Sequence, residues 1–323
     1  MKGIFAAIFL LALLTGCAEG TPAPVTEATL APTVETTVPE TMAMEEIVVE
    51  EAPPAMFSVV LQPEAPGVLE ARCDDAVVDY SHAEDGYIMV CFTGVTETRL
   101  KVRIQGPKTL YTYNLPQQEW TVFPLSDGDG DYAVAVYENT TGSKYAKVMM
   151  AEFSVTLKDE FAPFLRPNQY VNYTDAEATV AMGAELCAGL DHPLEKVAVV
   201  YDYVVDALSY DYDKAATVKS GYLPVLDQVL EEKTGICFDY AALMTAMLRS
   251  QDVPCKLVVG YAGATYHAWI SVWTEDNGWI DGAIFFDGHS WHRMDPTFAS
   301  SGERSEEIMD FITNGTYTVK YLY

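Results

Sequence analysis

One cysteine stands where a loop turns into a helix. In residues 235–241, Gly-Ile-Cys-Phe-Asp-Tyr-Ala, Cys237 precedes a helical pattern that puts Ala241, Met244 and Leu248 on one face. At a helix N-terminus, unpaired backbone N–H groups and the positive end of the helix dipole stabilise a thiolate relative to a thiol. The pattern predicts a nucleophilic cysteine whose own backbone N–H is one donor to an oxyanion.

A thiolate that attacks a carbonyl also needs a proton acceptor and donor, and histidine has the suitable pKa. His267 opens a predicted strand, where the sheet fixes the direction of a side chain. Asp295 precedes Pro296 at the end of a neighbouring predicted strand, where a carboxylate can hold the imidazole in one tautomer. Each residue alone is also typical of a packed core, so order and context decide between the two interpretations.

Five motifs follow one another in the second half of the chain. They are residues 235–241, 248–254 (Leu-Arg-Ser-Gln-Asp-Val-Pro), 258–261 (Val-Val-Gly-Tyr), 267–269 (His-Ala-Trp) and 295–297 (Asp-Pro-Thr). In this order they resemble the bacterial core of the transglutaminase-like superfamily, over residues 194–298. The resemblance implies that Cys237 is the nucleophile, His267 the base and acid, and Asp295 the orienting carboxylate.

The chain departs from that pattern in two places. Asp252 replaces the usual glycine before Val253, which affects only a turn. His267 and Asp295 are 28 positions apart, more than in compact members, and the excess in residues 281–289 is predicted to form an extended hairpin. This hairpin either covers the cleft or is a surface elaboration.

Other residues are expected to surround the thiol. We assign Trp269, Asp239 and Tyr210 to substrate binding, with Trp269 and Asp239 acting as walls and scaffold and not as reacting groups. In relatives an aromatic residue or glutamine upstream of the cysteine donates to the oxyanion, and five tyrosines remain candidates for that role: Tyr201, Tyr203, Tyr210, Tyr212 and Tyr222.

Neither a metal nor a cofactor is expected. His289 and His292 lie close together in the sequence but have no paired cysteines and no third nearby ligand. The acidic run at residues 127–131 suggests calcium, yet Tyr132 stands where an EF-hand loop needs glycine, so an acidic turn is favoured.

The elements around these residues predict an α+β fold. Apolar residues at three- and four-residue intervals indicate a helix from Pro193 to Leu208, with Asp191 as its N-cap, and a second helix from Cys237 to Ser250. Strands follow at 256–261, at 266–273 and near Met294, and the tail at 308–323 is predicted to form a helix turn and a strand. Residues 158–323 are thus a papain-like or transglutaminase-like core, a helix packed on an antiparallel sheet.

The region upstream of this core is predicted to be all β. Short alternating runs at 57–61, 87–92, 100–104, 120–125, 132–137 and 148–155 indicate an immunoglobulin- or fibronectin-like sandwich over residues 56–157, with a hairpin turn at 139–142. No chemistry is apparent in it.

The N-terminus has the pattern of an export signal. Lys2 precedes an apolar run at 4–14, and residues 14–17, Leu-Thr-Gly-Cys, resemble a lipobox, so residues 1–17 are a lipoprotein signal peptide and Cys17 is the lipidated residue. The alternative is that Cys17 is an ordinary residue of a signal. Residues 18–55, rich in Thr, Pro and Glu, form a disordered tether. We expect a secreted protein, lipid-anchored to the outer face of a bacterial membrane.

Charge and cysteine content limit the partners. A net charge of −28, from 47 acidic and 19 basic residues, repels nucleic acid. Besides Cys17 there are five cysteines, of which Cys73 and Cys91 either form a disulfide or remain buried thiols, as Cys187 and Cys255 do.

The function predicted from these features is acyl transfer from amide or peptide bonds through a thioester, with hydrolysis slightly favoured over amine transfer. The substrate is a peptide or protein, with cell-wall peptides among those expected. The alternative is a non-catalytic surface module for binding or scaffolding that uses the same fold.

Overall fold

The computed structural model describes residues 56–281 and 316–323, and the backbone of two short strands at 284–286 and 291–293. The predicted signal peptide with Cys17, the predicted tether, Asp295 and His289 lie outside the described residues, as does the side chain of His292.

The upstream region folds into two four-stranded antiparallel sheets. In chain order the strands are β1 (Glu70–Arg72), β2 (Ala76–Asp79), β3 (Tyr87–Phe92), β4 (Leu100–Gln105), β5 (Leu110–Leu115), β6 (Thr121–Pro124), β7 (Gly130–Thr141) and β8 (Lys144–Val155). One sheet has the order β1-β2-β3-β6 and the other β5-β4-β7-β8. In β4 every second residue is buried, as expected for a sheet with one face on a core.

The two sheets pack face to face through aromatic side chains. Phe123 of β6 lies against Tyr113 of β5, with ring centroids 4.7 Å apart, and Tyr80 after β2 stacks on Phe153 of β8 at 4.8 Å. This arrangement confirms the all-β region that the alternating runs predict. The hairpin turn joins β7 to β8 at Gly142, whose φ of 55° is left-handed, two residues later than the centre of the predicted turn.

One predicted strand is wrong. Residues 57–61 form no strand, although four of the five are apolar. The Val59 N–H instead donates to the Ser250 carbonyl at 2.8 Å, which ties this segment to the second half of the molecule.

Asp127 has a structural role in the acidic turn. Its carboxylate is buried and accepts from the backbone N–H groups of Lys108 at 2.9 Å and Thr109 at 2.6 Å. These bonds hold the β4–β5 connection against the turn, and they account for a buried carboxylate without a cation.

The described residues of the second half form five α-helices. They are α1 (Ala178–Leu186), α2 (Pro193–Ala207), α3 (Tyr212–Thr217), α4 (Leu226–Glu232) and α5 (Cys237–Arg249). His192, and not the predicted Asp191, caps α2: its Nδ1 accepts from the Leu194 N–H at 3.2 Å. Single turns of 3-10 helix lie at Ala83–Asp85 and Ala162–Phe164.

Helix α5 packs against an antiparallel sheet, as predicted. The strands of this half are β9 (Ser209–Tyr210), β10 (Thr234–Gly235), β11 (Cys255–Ala262), β12 (Thr265–Thr274), β13 (Gly278–Asp281), β14 (Ile284–Phe286), β15 (Trp291–Arg293) and β16 (Tyr317–Leu322). Strands β13-β12-β11-β16 form the main sheet, β9 pairs with β10, and β14 with β15 is the hairpin predicted after Trp279. From Asp239 to Arg249 every residue of α5 is buried.

The core is continuous between the two halves. Tyr111 and Tyr113 of β5 each lie 5.9 Å from the ring of Tyr323, which follows β16. The domain boundary at 157/158 stays a prediction. Among the described residues no helix is long and apolar enough to cross a membrane.

Candidate active site

Cys237 is the first residue of α5. Its thiol is free and its side chain is half-buried, whereas the helix behind it is enclosed by the core. Strand β10 leads into the helix and pairs with β9, so that Tyr210 lies opposite Gly235. A Cβ at Gly235 would come within 2.7 Å of the Asp239 Cβ, which explains the glycine two residues before the cysteine. The sequence thus places a thiol at the N-terminus of a helix that is enclosed by the core.

Asp239 holds the first turn of α5 in place. Its side chain has no exposed surface, and its Oδ2 accepts from the Ile236 N–H at 2.8 Å. Its other donors come from outside the helix: the Tyr222 hydroxyl at 2.6 Å and the Lys214 ammonium at 2.7 Å. Three donors satisfy a carboxylate that burial alone would strongly disfavour.

Lys214 and Tyr222 also contact each other. The Lys214 Nζ lies 4.5 Å from the centroid of the Tyr222 ring. Burial, and then the bond to Asp239, raise the pKa of Tyr222 to about 12. Burial by itself would lower the pKa of Lys214, but the bonds to Asp239 and Tyr222 outweigh it and the pKa is raised, so Lys214 is a cation at neutral pH.

His267 lies near the start of β12. It is 4% exposed and pairs with Gly260 of β11. A Cβ at Gly260 would lie 2.0 Å from the Thr318 carbonyl oxygen and 2.9 Å from the Trp269 ring, so the motif Val-Val-Gly-Tyr needs its glycine to let β16 pair with β11 on the side opposite the histidine strand.

Tyr266 joins this strand to the thiol. Burial raises the pKa of the Tyr266 phenol, and the phenols of Tyr321 and Tyr261 and the Cys237 thiol add to the rise. Strand β12 also packs against α5. Tyr266 is nevertheless 55% exposed, which makes it an accessible aromatic wall next to Cys237.

The structure separates the residues assigned to substrate binding. Tyr210 is half-buried and lies beside the loop that leads to Cys237. Asp239 and Trp269 are 0% and 2% exposed, so they support the site and do not line it. The Trp269 ring meets Tyr317 edge-on at 5.2 Å, under β16.

Two of the tyrosines considered as oxyanion donors are committed elsewhere. The Tyr222 hydroxyl donates to Asp239, and Tyr201 is buried on α2. Tyr203, Tyr210 and Tyr212 remain, and of these Tyr210 has its backbone paired directly with Gly235.

Lys214 and Tyr266 were missed from the sequence. Lys214 lies on α3, a helix of six residues without a readable apolar period, although Asp211 caps it by accepting from the Lys214 N–H at 2.8 Å. That N-cap was the available signal. Tyr266 directly precedes His267, and its position in the sequence gives no separate signal of a role.

The described residues contain neither a disulfide nor a cluster of metal-binding side chains. Cys73, Cys91, Cys187, Cys237 and Cys255 are all free, so the structure has no Cys73–Cys91 disulfide. Burial raises the pKa of Cys187 and of Cys255 to about 11, which makes them inert thiols. Within the described part of the chain no three His, Cys, Asp or Glu side chains form a metal site.

Comparison with known proteins agrees with this geometry. The family model "Transglutaminase-like superfamily" matches residues 180–282, which include Cys237 and His267. The chain is 24% identical over 134 residues to the uncharacterized protein YebA of Bacillus subtilis, covering 35% of this chain and 18% of that protein. It is 26% identical over 119 residues to protein-glutamine gamma-glutamyltransferase of Pseudomonas aeruginosa, covering 32% of this chain and 16% of that protein.

Among solved structures, red sea bream transglutaminase aligns with a TM-score of 0.28 and 13% identity, over 72% of this chain and 56% of that one. The chain spans less than a fifth of the length of the curated relatives it matches. It is a mixed α and β protein with additional β-strands upstream, and its residues 180–282 match the model of the transglutaminase-like superfamily.

Proposed function

We propose that this domain is a cysteine enzyme acting on amide or peptide bonds. The Cys237 thiolate attacks the carbonyl carbon, His267 protonates the departing amine, and a thioester forms as the C–N bond breaks. Asp295 orients the imidazole. Water or a second amine then attacks the thioester and releases the thiol.

One observation carries the proposal: a free, half-exposed thiol is the first residue of an otherwise enclosed helix. Such a position favours the thiolate and presents backbone N–H groups to an oxyanion. Asp239 takes the Ile236 N–H, which leaves the N–H of Cys237 as the donor closest to the sulfur. The position of β12 beside this helix end supports His267 as the proton carrier.

Hydrolysis is the outcome we favour, with amine transfer as the second candidate. Cys237 is only partly buried, which favours access of water to a thioester formed there. The similarity to a Pseudomonas aeruginosa protein named as a protein-glutamine gamma-glutamyltransferase favours the second outcome. The acyl acceptor thus decides the activity: water gives a peptidase or amidase, and an amine gives a cross-linking enzyme.

The test compares the purified protein with its Cys237→Ala variant. Each is incubated with a peptide library, and separately with a glutamine-containing peptide and dansylcadaverine, and the products are identified by mass spectrometry. We expect new peptide termini, or deamidated glutamine, with the unchanged protein only. Dansylated peptide would establish amine transfer.

The Cys187→Ala variant is the matched control, because Cys187 is a buried thiol and is not one of the proposed catalytic residues. It should behave as the unchanged protein does. Identical products from the protein and from Cys237→Ala would contradict the enzyme and favour the scaffold module.

We further propose that the protein works outside the cytoplasm, attached through a lipid on Cys17. The lipobox at residues 14–17 and the Thr-, Pro- and Glu-rich segment after it support this location. Expressed in bacteria, the chain should partition into Triton X-114, and its Cys17→Ala variant should stay in the aqueous phase. Equal partitioning of the two would contradict a lipid anchor.

A further inference from the structure

We propose that Lys214 is a positioning residue for the reaction: its ammonium group neutralises the buried Asp239 carboxylate so that Cys237, two residues away, ionises readily. The inference rests on the proposed function, because it concerns the nucleophile of that reaction. Lys214 would act on Cys237 only through Asp239.

The first step concerns the carboxylate. Asp239 has no exposed surface and lies in the same helical turn as Cys237. Its bond to the Ile236 N–H fixes the peptide just before the cysteine, which gives the aspartate a reason to be there. Its negative charge, however, opposes a thiolate in the same turn, since like charges at short range disfavour ionisation.

The second step concerns the donors. The Tyr222 hydroxyl and the Ile236 N–H satisfy the carboxylate oxygens but bring no charge. Lys214, 2.7 Å away, is the one cation among the described residues that pairs with Asp239. The N-cap bond from Asp211 sets the start of α3, and the Tyr222 ring packs against the ammonium, so Lys214 is held in place.

The third step concerns the other groups around this helix end. Among the described residues, titratable side chains come from β9 (Tyr210), from β12 (Tyr266 and His267) and from the segment before α1 (Tyr170, whose ring is 5.5 Å from Phe238). The phenols are neutral near pH 7, and His267 supplies its own charge only when protonated. Asp211 brings a further carboxylate, since its N–H donates to the Gly235 carbonyl at 2.9 Å and its Oδ1 accepts from the Lys214 N–H at 2.8 Å. Asp211 is unchanged in every variant below, so the Lys214–Asp239 pair is the charge arrangement that the variants alter.

The experiment measures the rate at which iodoacetamide alkylates Cys237 between pH 5 and 10, with the modified peptide quantified by mass spectrometry. The full chain is compared with Lys214→Met, Lys214→Arg, Asp239→Asn and the double variant Lys214→Met/Asp239→Asn. We expect the apparent thiol pKa to rise by about 1 unit in Lys214→Met, with roughly 10-fold slower alkylation at pH 7. Lys214→Arg should stay near the unchanged protein.

The double variant decides whether Lys214 acts through Asp239. Removing both charges should return the apparent thiol pKa to that of the unchanged protein. A double variant as slow as Lys214→Met, or a Lys214→Met variant with an unchanged pH profile, would overturn the inference.

Asp239→Asn keeps the test decisive if Lys214→Met does not fold, which circular dichroism would show. With the carboxylate neutralised and the ammonium retained, the thiol pKa should fall below that of the unchanged protein, and a rise would overturn the inference. Alkylation needs no substrate turnover. A protein without enzymatic activity would therefore contradict the proposed function while leaving this measurement intact.

Discussion

At the scale of single residues, the site depends on the carboxylate of Asp239, which is fully buried and does not contact the substrate in the proposed reaction. Asp239 spends its hydrogen-bonding capacity on the Ile236 N–H, the Tyr222 hydroxyl and Lys214. Each donor comes from a different segment: the helix start, the loop before α4, and α3. The same side chain thus closes the helix turn and draws the surrounding segments over it.

Replacing Tyr222 with Phe should therefore destabilise the whole fold. The change removes a charge-assisted hydrogen bond to a buried carboxylate and leaves one oxygen less satisfied. The expected loss is about 1–3 kcal/mol in the free energy of unfolding, measured by urea denaturation at pH 7. Tyr212→Phe is the control, because the exposed Tyr212 ring only meets Tyr210 edge-on. Equal stabilities of the two variants would show that the bond contributes nothing net.

At the scale of elements, a glycine decides how β16 joins the sheet. Gly260 pairs with both Val319 of β16 and His267 of β12. The space for a side chain at that position is taken by the Thr318 carbonyl, and a register shift in β11 falls between Val259 and Gly260. Strand β11 is thereby held between β16 and the strand that carries His267.

Gly260→Ala should push β16 away from β11. The added methyl group would lie 2.0 Å from the Thr318 oxygen, so the backbone of one strand must move. We expect a loss of about 1–3 kcal/mol in unfolding free energy, together with faster hydrogen exchange of the β16 amides. Thr318→Ala, a surface change on the same strand, should stay within about 0.5 kcal/mol of the unchanged protein. Unaltered exchange in Gly260→Ala would refute the close approach of the two strands.

Long helices and strands were predictable from the sequence, and short ones were not. Helix α5 and strands β11 and β12 follow clear apolar patterns, and Cys237 and His267 lie at their starts. The six residues of α3 are too few to show a helical period, so the sequence does not predict the helix that carries Lys214. The partner of Lys214, Asp239, is 25 positions away, so their pairing is not predictable either. Residues 57–61 are mostly apolar, as a strand often is, but the Val59 N–H donates to the Ser250 carbonyl and not to a neighbouring strand.

At the scale of the whole molecule, one buried arginine connects the distant parts of the chain. Arg249 ends α5, is 1% exposed, and donates to three backbone carbonyls: Arg166 at 2.6 Å, Cys255 at 2.9 Å and Tyr323 at 2.7 Å. These acceptors belong to the segment that follows the upstream sheets, to β11, and to the residue after β16. Because Arg249 bonds all three segments, we expect the upstream sheets, the helix and the main sheet to unfold as one cooperative unit.

Arg249→Met tests that unit. Methionine fills part of the volume but removes the Arg249 donor from the enclosed Arg166 and Cys255 carbonyls, while the Tyr323 carbonyl keeps only the Leu257 N–H at 2.9 Å. We expect a loss of about 3–5 kcal/mol in unfolding free energy. Arg103→Met, on an exposed face of β4, is the control and should change little. Near-ultraviolet circular dichroism and hydrogen exchange in β3 and in α5 should report a single shared transition in both variants. Two separate transitions, with only α5 weakened by Arg249→Met, would show that the upstream sheets are stable on their own and that the continuous core does not couple them to the site.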